Sequence, residues 1–505
     1  MKIYKLYTFL LVIIAFLLSS CDPENLLPND KDGATGYGNE SIYDYVWNAK
    51  KEQLIELKST TISTKSKNVI VTDTGFVIVA GGYYHIKGNL NNGQLLVDAD
   101  KADVFIKLSS VSISNNYTAP FYVKNARKVV VFLADNTTNT FTDAVNYTYL
   151  GEPNACIFSD NYLSFTGTGT LVVNANFNNG ISSDNALVLN SGKFVVKAKD
   201  DGLRGKNFLL VNDGDISVDV QTGHALKSDH ETRGDRGFVL IKNGKFDLSS
   251  EEKDGINTTK RVLIENGFFE ISAPESQAIR SDSLIHIEGS EINISSSNEG
   301  IKAPFITIDG GKISVNAYVD AIQATYGKGN EENENCLLTI NGGDIYLSAQ
   351  SGRALMSNGS TEMNGGTVLV HGAQLSTVLG LDYKNIFNIN GGTLLASGSS
   401  SSKFKGLSAG SQQISVSCKT ATAVNSLFSI VDASGNVVFS FKPERQYHSM
   451  IFSSSALKLK EQYKLYIGGT NSGKSNNGFY NGGTLSGGTL KTTFTINTIT
   501  THIGF

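Results

Sequence analysis

A short phrase returns along the middle of this chain at a nearly fixed interval, and few folds are open to a chain that repeats itself in this way. Asn178–Asn179–Gly180–Ile181 is echoed by Asp201–Gly202–Leu203–Arg204, His224–Ala225–Leu226–Lys227 and Asp254–Gly255–Ile256–Asn257. The echo continues as Gln277–Ala278–Ile279–Arg280, Glu299–Gly300–Ile301–Lys302, Asp320–Ala321–Ile322–Gln323 and Arg353–Ala354–Leu355–Met356. The small residue stands at 180, 202, 225, 255, 278, 300, 321 and 354, in steps of 22, 23, 30, 23, 22, 21 and 33. A base period near 22 with two insertions is a repeat architecture.

The clearest unit runs from Pro304 to Gln323. Ile306 and Ile308 alternate with polar residues, Gly310–Gly311 turns the chain, Ile313, Val315 and Ala317 alternate again, and Asp320–Ala321–Ile322 makes a third short strand. Period-two alternation buries one side of each strand. The turn glycine recurs at 192, 214, 244, 267, 311, 343, 366 and 392, with Ser290 in its place once. Glycine there relieves the steric limit of a corner with positive φ. Three strands and three corners per repeat form one coil of a parallel β-helix. Antiparallel hairpins would not hold three unlike strands in constant order, and a propeller blade needs roughly 40 residues or more. Parallel crossovers are right-handed, so the fold class is all-β: a right-handed parallel β-helix of about 22 residues per coil.

Stacked coils put equivalent residues about 4.8 Å apart, so an alignment of repeats is a map of the surface. The position before the small residue reads Asn179, Asp201, His224, Asp254, Gln277, Glu299, Asp320, Arg353. Two positions after it come Ser182, Arg204, Lys227, Asn257, Arg280, Lys302, Gln323 and Met356. An acid-leaning ladder thus lies beside a base-leaning one. Stacked carboxylates repel, and calcium relieves such repulsion with oxygen ligands in flexible geometry. Asp200, Asp201, Asp254, Glu299 and Asp320 are the candidate metal ligands, with Glu331, Glu332 and Glu334 a weaker group. The plain alternative is a solvated salt-bridge ladder. Arg204, Lys227, Arg280 and Lys302 are the candidate contacts to an acidic polymer, whose carboxylates pair with bases. The one Trp lies near the N-terminus, and Phe268, Phe269, Phe305 and Phe387 read as core or corner packing. No catalytic residue emerges: there is no nucleophile elbow and no phosphate loop. A calcium-dependent lyase with Arg204 as base, and an adhesin or structural protein with a non-glycan partner, are the other classes. The two long steps, Asp229–Arg236 and Thr325–Cys336, both leave after the third strand and either border a binding groove or mark a permissive corner.

With 51 Gly but 7 Pro and 18% charged residues, the composition is all-β rather than disordered. A net charge of −4, with no basic stripe to track phosphates, gives no reason to expect a nucleic-acid partner. Residues 1–20 read as a secretory signal, with Lys2 and Lys5 before the apolar run Leu6 to Leu18. Leu18–Ser19–Ser20–Cys21 resembles a bacterial lipobox, which implies acylation of Cys21 and a lipid-anchored protein of the outer membrane or cell surface. An ordinary signal peptide is the alternative. Cys156, Cys336 and Cys418 are too widely spaced for a disulfide framework and read as buried apolar residues. The chain then divides into a tether (21–40), an N-terminal cap (41–66) with a short helix over Ser41–Leu57 carrying Trp47, the β-helix (67–400), and a C-terminal β cap or sandwich (401–505).

From about Trp47 onward the chain resembles a family of bacterial surface carbohydrate-binding proteins with a pectate-lyase-like right-handed β-helix. The resemblance is carried by Asn91 to Asp100, Ala119–Pro120–Phe121–Tyr122–Val123, Phe141–Thr142–Asp143, Asn179–Gly180–Ile181, Asp200 to Lys206 and Tyr480–Asn481–Gly482–Gly483–Thr484. It implies binding of acidic polysaccharide such as polygalacturonate, bound calcium and no established catalysis, with Asp200, Asp201 and Arg204 as the matching residues. The chain departs from the pattern at His224–Ala225, Gln277–Ala278 and Arg353–Ala354, where the acid is missing.

Overall fold

The computed structural model describes residues 42–148, 151, 153–231, 236–326, 335–373, 380–398, 415–422 and 426–504. Cys21, the tether, Glu331, Glu332 and Glu334 lie outside them. The described residues form a parallel β-helix with three faces, followed by a mainly antiparallel C-terminal unit.

The faces follow from which strand stacks on which. The first carries Lys128–Leu133, Tyr162–Gly167, Ala186–Leu189 and Phe208–Val211, paired parallel in that order and continued in later coils. The second carries Thr138–Thr142, Thr170–Ala175, Lys193–Ala198, Asp215–Val220 and Lys245–Ser250. The third carries Asn179–Ser183, Leu203–Gly205, Leu226–Ser228 and Ile256–Thr258. Inward residues alternate as the sequence predicts. Ile306, Ile308, Ile313, Val315, Ala317 and Ile322 are all buried in one continuous core. Full burial of each such large side chain contributes about 1.5–3 kcal/mol.

The corners are where particular residue types are required. Gly311 has φ +90°, and a Cβ there would lie 2.2 Å from the Ser290 carbonyl oxygen one coil earlier. All eight turn glycines have positive φ, whereas Ser290, the exception in that series, does not. The small residue before the third strand is equally constrained, because a Cβ on Gly202 would meet Val218 Cγ1 at 2.2 Å. At another corner the asparagines stack: Asn390 Nδ2 donates to Asn364 Oδ1 and Asn364 Nδ2 to Asn341 Oδ1, each at 2.8 Å, and Asn341 Nδ2 donates to Asp309 Oδ1 at 2.7 Å.

Four expectations need correction here. The helix over Ser41–Leu57 is absent. Two 3-10 turns, Ile42–Tyr45 and Ala49–Lys51, lead into the strand Glu52–Ser59, which pairs parallel with Gly82–Leu90. The alternation of buried Ile55 and Leu57 is that of a strand, so the parallel ladder starts before residue 67. Trp47 covers the side of the helix, not its end: its ring meets Tyr83 at 5.4 Å and Phe132 at 5.3 Å, and Lys107 Nζ lies 5.5 Å from its centroid. Phe268 is 61% exposed, while Phe269 and Phe387 are buried. Cys156 and Cys336 are buried and free.

The C-terminal unit closes the last coil with a strand that carries no repeat signal. Tyr447–Ser454 pairs antiparallel with Thr393–Gly398. Arg445 fastens it, donating to the Ala349 carbonyl at 2.6 Å and to Ser348 Oγ at 2.8 Å. A six-stranded sheet built on Phe428–Asp432, Val437–Phe441 and Gln462–Ile467 packs beyond it.

Candidate functional site

The third face brings the expected base-leaning ladder into hydrogen-bonded register. Ser182, Arg204, Lys227, Asn257, Arg280, Lys302, Gln323 and Met356 are consecutive Cα partners, and Asp382 follows. The acid-leaning positions stand beside it; Asn179, Gln277 and Glu299 lie within strands, the others in the corner. Asp200 and Asp201 lie in the corner before Leu203–Gly205, and Asp320 lies before Ile322–Ala324.

That corner explains the acids. Where its backbone leaves the sheet for a few residues, the N–H of the ladder residue lacks a strand partner and needs another acceptor. The side chain one coil earlier supplies it. Asp201 N donates to Asn179 Oδ1 and His224 N to Asp201 Oδ1, both at 3.0 Å. Asp254 N donates to His224 Nδ1 at 3.1 Å and Gln277 N to Asp254 Oδ1 at 3.1 Å. Arg353 N donates to Asp320 Oδ1 at 2.6 Å. Among the described residues the steps from Gln277 to Glu299 and from Glu299 to Asp320 have no such cap; at Gln277 and Glu299 the chain runs through the corner as the continuous strands Phe268–Ser281 and Glu291–Ala303. Short acceptors at this position are therefore a requirement of the backbone.

The second carboxylate oxygens are also occupied. Lys227 Nζ donates to Asp201 Oδ2 at 2.8 Å, Asn257 Nδ2 to Asp254 Oδ2 at 2.6 Å, and Arg353 Nη2 and Gln323 Nε2 to Asp320 Oδ2 at 2.9 and 3.0 Å. Glu299 Oε2 accepts from Lys302 Nζ at 3.0 Å and Gln277 Nε2 at 2.7 Å. Asp201, Asp254 and Asp320 are only 2%, 1% and 1% exposed. Among the described residues no group of three or more His, Cys, Asp or Glu side chains is placed to hold a metal ion. The donor set on the ladder does not fit a calcium cage: its oxygens already face N–H donors.

The bases are paired in turn. Arg204 donates to Asp229 Oδ2 at 3.0 Å, Asp184 Oδ1 at 3.1 Å and Ser182 Oγ at 3.2 Å. Burial works against its charge, but Asp229 and Asp184 outweigh burial and raise the guanidinium above its ordinary value. Lys302 is bound to Glu299, and Arg280 to Asp282 at 3.0 Å, with Arg280 the most open of the four at 35% side-chain exposure. Burial, then the adjacent Asp201, raise the Asp200 carboxyl against the pull of Lys227, Arg204 and Lys253. Burial lowers His224, although Asp254 and Asp201 pull the other way.

At the upstream end of the same corner, where the second face ends, lies a groove that the repeat alignment passed over. Its volume is about 490 Å³, and its walls are Asn174, Ala175, Asn176, Lys197, Ala198, Lys199, Asp219, Gln221 and Glu251. Asn174, Lys197 and Asp219 are register partners on the outside of the second face. The side chains of Lys197 and Lys199 have no ion pair or hydrogen bond among the described residues, and neither do those of Asp219 and Glu251. Asn176 is braced from behind: its N–H donates to Asp143 Oδ1 at 2.5 Å and its Nδ2 to the Asp143 carbonyl at 3.0 Å. Burial raises the Asp143 carboxyl to about 6 despite donors from Asn176 and Tyr147. Exposed rings do occur on this side of the molecule, Tyr117 at 60% and Tyr318 at 58%. Period-two alternation marks Lys197 as outward, but nothing in the sequence separates an unpaired lysine from a paired one.

A family model described as Carbohydrate-binding domain-containing protein matches residues 72–278 and 269–440. A protein of that same description from Acetivibrio thermocellus is 41% identical over 133 residues, 25% of this chain and 46% of the relative. The match thus spans less than half of the relative's own length. A solved structure titled "Structure of the polysaccharide lyase-like protein from C. thermocellum, Gadolinium derivative" is 29% identical with a TM-score of 0.45, covering 49% of this chain and 99% of that one.

Proposed function

This chain belongs to the carbohydrate-binding domain family, and from that membership we propose that it is a lipid-anchored surface protein that holds an acidic, pectate-like polysaccharide without cutting it. The in-register row of Arg204, Lys227, Arg280 and Lys302 carries the acidic part of this reading. It gives one long side of the helix a run of cationic and amide groups at the strand spacing, whose charge attracts a polymer bearing repeated carboxylates, although each cation also pairs with an acid of the protein. The state of Arg204 supports binding without cleavage. A base that abstracts a proton must first be neutral, and two acids hold this guanidinium charged. Calcium enters the proposal only as an ion shared between the glycan's carboxylates and exposed acids of the protein, since the ladder's carboxylates are taken. The anchor is Cys21, acylated after removal of residues 1–20.

Affinity electrophoresis against a panel of neutral and acidic glycans, with and without chelator, tests the binding. Retardation by uronate polymers but not neutral ones is the expected result, and retardation by neither overturns the reading. Ultraviolet absorbance from an unsaturated product would instead establish a lyase. Incorporation of labelled palmitate that is lost in Cys21→Ser tests the anchor.

A further inference from the structure

We propose that the groove at the corner leading into the third face is the principal sugar subsite, and that Lys197 and Lys199 there take the carboxylate of a uronate-type residue in an extended chain. This rests on the reading above that the ligand is an acidic glycan. The groove is large enough for a sugar, at about 490 Å³. Its lining comes from successive coils, so its long direction follows the helix axis. Lys197 and Lys199 flank the inward Ala198, and both side chains rise on the outside of the corner.

Charge availability separates this place from the ladder. Arg204, Lys227, Arg280 and Lys302 each already hold a carboxylate of the protein. An incoming sugar carboxylate would have to displace it. Lys197 and Lys199 hold none among the described residues, so a charge-assisted bond to them replaces only water. The groove also has a polarity. Asn174 and the two lysines lie at the early coils, and Asp219, Gln221 and Glu251 at the later ones. A uronate carboxylate is drawn to the first end and repelled from the second, where acids and an amide suit ring hydroxyls. Three coils beyond Glu251, about 14 Å along the stack, the exposed ring of Tyr318 stands on the same corner. Only a chain long enough to leave the groove reaches it.

The test is calorimetric titration of the full chain with galacturonate oligomers of short and long defined length. The double variant Lys197→Ala/Lys199→Ala should bind about tenfold or more weakly, with an unchanged melting temperature. Lys197→Arg/Lys199→Arg should retain binding. Tyr318→Ala should weaken the long oligomer and leave the short one alone. Undiminished binding by the double alanine variant, alongside loss in Arg280→Ala/Lys302→Ala, overturns the groove and leaves the acidic-glycan reading intact. Failure of the unaltered protein to bind any uronate oligomer overturns both.

Discussion

The third-face ladder and the corner groove are neighbours made from the same kinds of side chain, and they spend their charge differently. On the ladder, Asp201 caps the His224 amide with one oxygen and holds Lys227 with the other. In the groove, Lys197, Lys199, Asp219 and Glu251 face one another's side of the corner with no protein partner among the described residues. The difference comes from the backbone. At the ladder end of this corner the chain leaves the sheet and exposes an amide that must be satisfied. At the groove end the second-face strands are still paired up to Ala175, Ala198 and Val220, so the outward side chains are left for solvent or ligand. Similar charge density therefore means structure in one place and an opening in the other.

Substitutions should separate the two. The largest effect is expected at Asp320→Ala, which strips the Arg353 amide, the Arg353 guanidinium and Gln323 of their acceptor at once. Unfolding free energy from urea titration should fall by about 3–5 kcal/mol. A loss no larger than that of a surface substitution would show that the ladder is not holding the coils.

The next is a pH effect behind the groove wall. Folding raises Asp143 to about 6 from an ordinary carboxyl value, so its contribution to stability is full below about pH 4 and is lost as pH rises through about 6. The shift of about two units corresponds to roughly 2–3 kcal/mol. Urea midpoints measured across that window should fall with rising pH, and the fall should be shallower in Asp143→Asn. A rise with pH specific to the unaltered protein would refute the assignment.

Asp201→Asn is a finer probe, because it keeps the oxygen that caps His224, as Asn179 does for Asp201, and removes the charge that holds Lys227. It should lose about 1–2 kcal/mol, clearly less than Asp201→Ala. Equal losses would mean that the ion pair, not the amide cap, is what matters. Smallest of all, Lys197→Ala should leave stability within about 0.5 kcal/mol while weakening glycan binding. A marked drop in melting temperature would move Lys197 from the open class to the committed one.

Much of this fold is legible in sequence because inward residues and turn glycines obey strict local rules. Ile306, Ile308, Ile313 and Val315 announce two strands, and Gly311 announces the corner between them. The register of Arg204 on Lys227, and of Arg280 on Lys302, follows by counting. The cap of the last coil does not, since Tyr447–Ser454 belongs to no repeat and is placed by antiparallel pairing with a strand about 50 residues earlier. The Ser41–Leu57 segment reads as a helix because a few apolar residues fit a helical face as well as the buried side of Glu52–Ser59. On the ladder the residue types were visible, but their task was not. Which oxygen meets which amide depends on a corner conformation that no side-chain pattern encodes.

The amide caps also give the stack a direction. Each is made by a side chain on the earlier coil and received by the backbone of the later one. Backbone bonds at the same corner run the other way: the Gly202 amide donates to the His224 carbonyl at 2.8 Å and the Leu203 amide to the Ala225 carbonyl at 2.9 Å, both on the later coil. A stack cut at either edge would therefore leave buried N–H groups without an acceptor, so both ends of such a solenoid have to be closed.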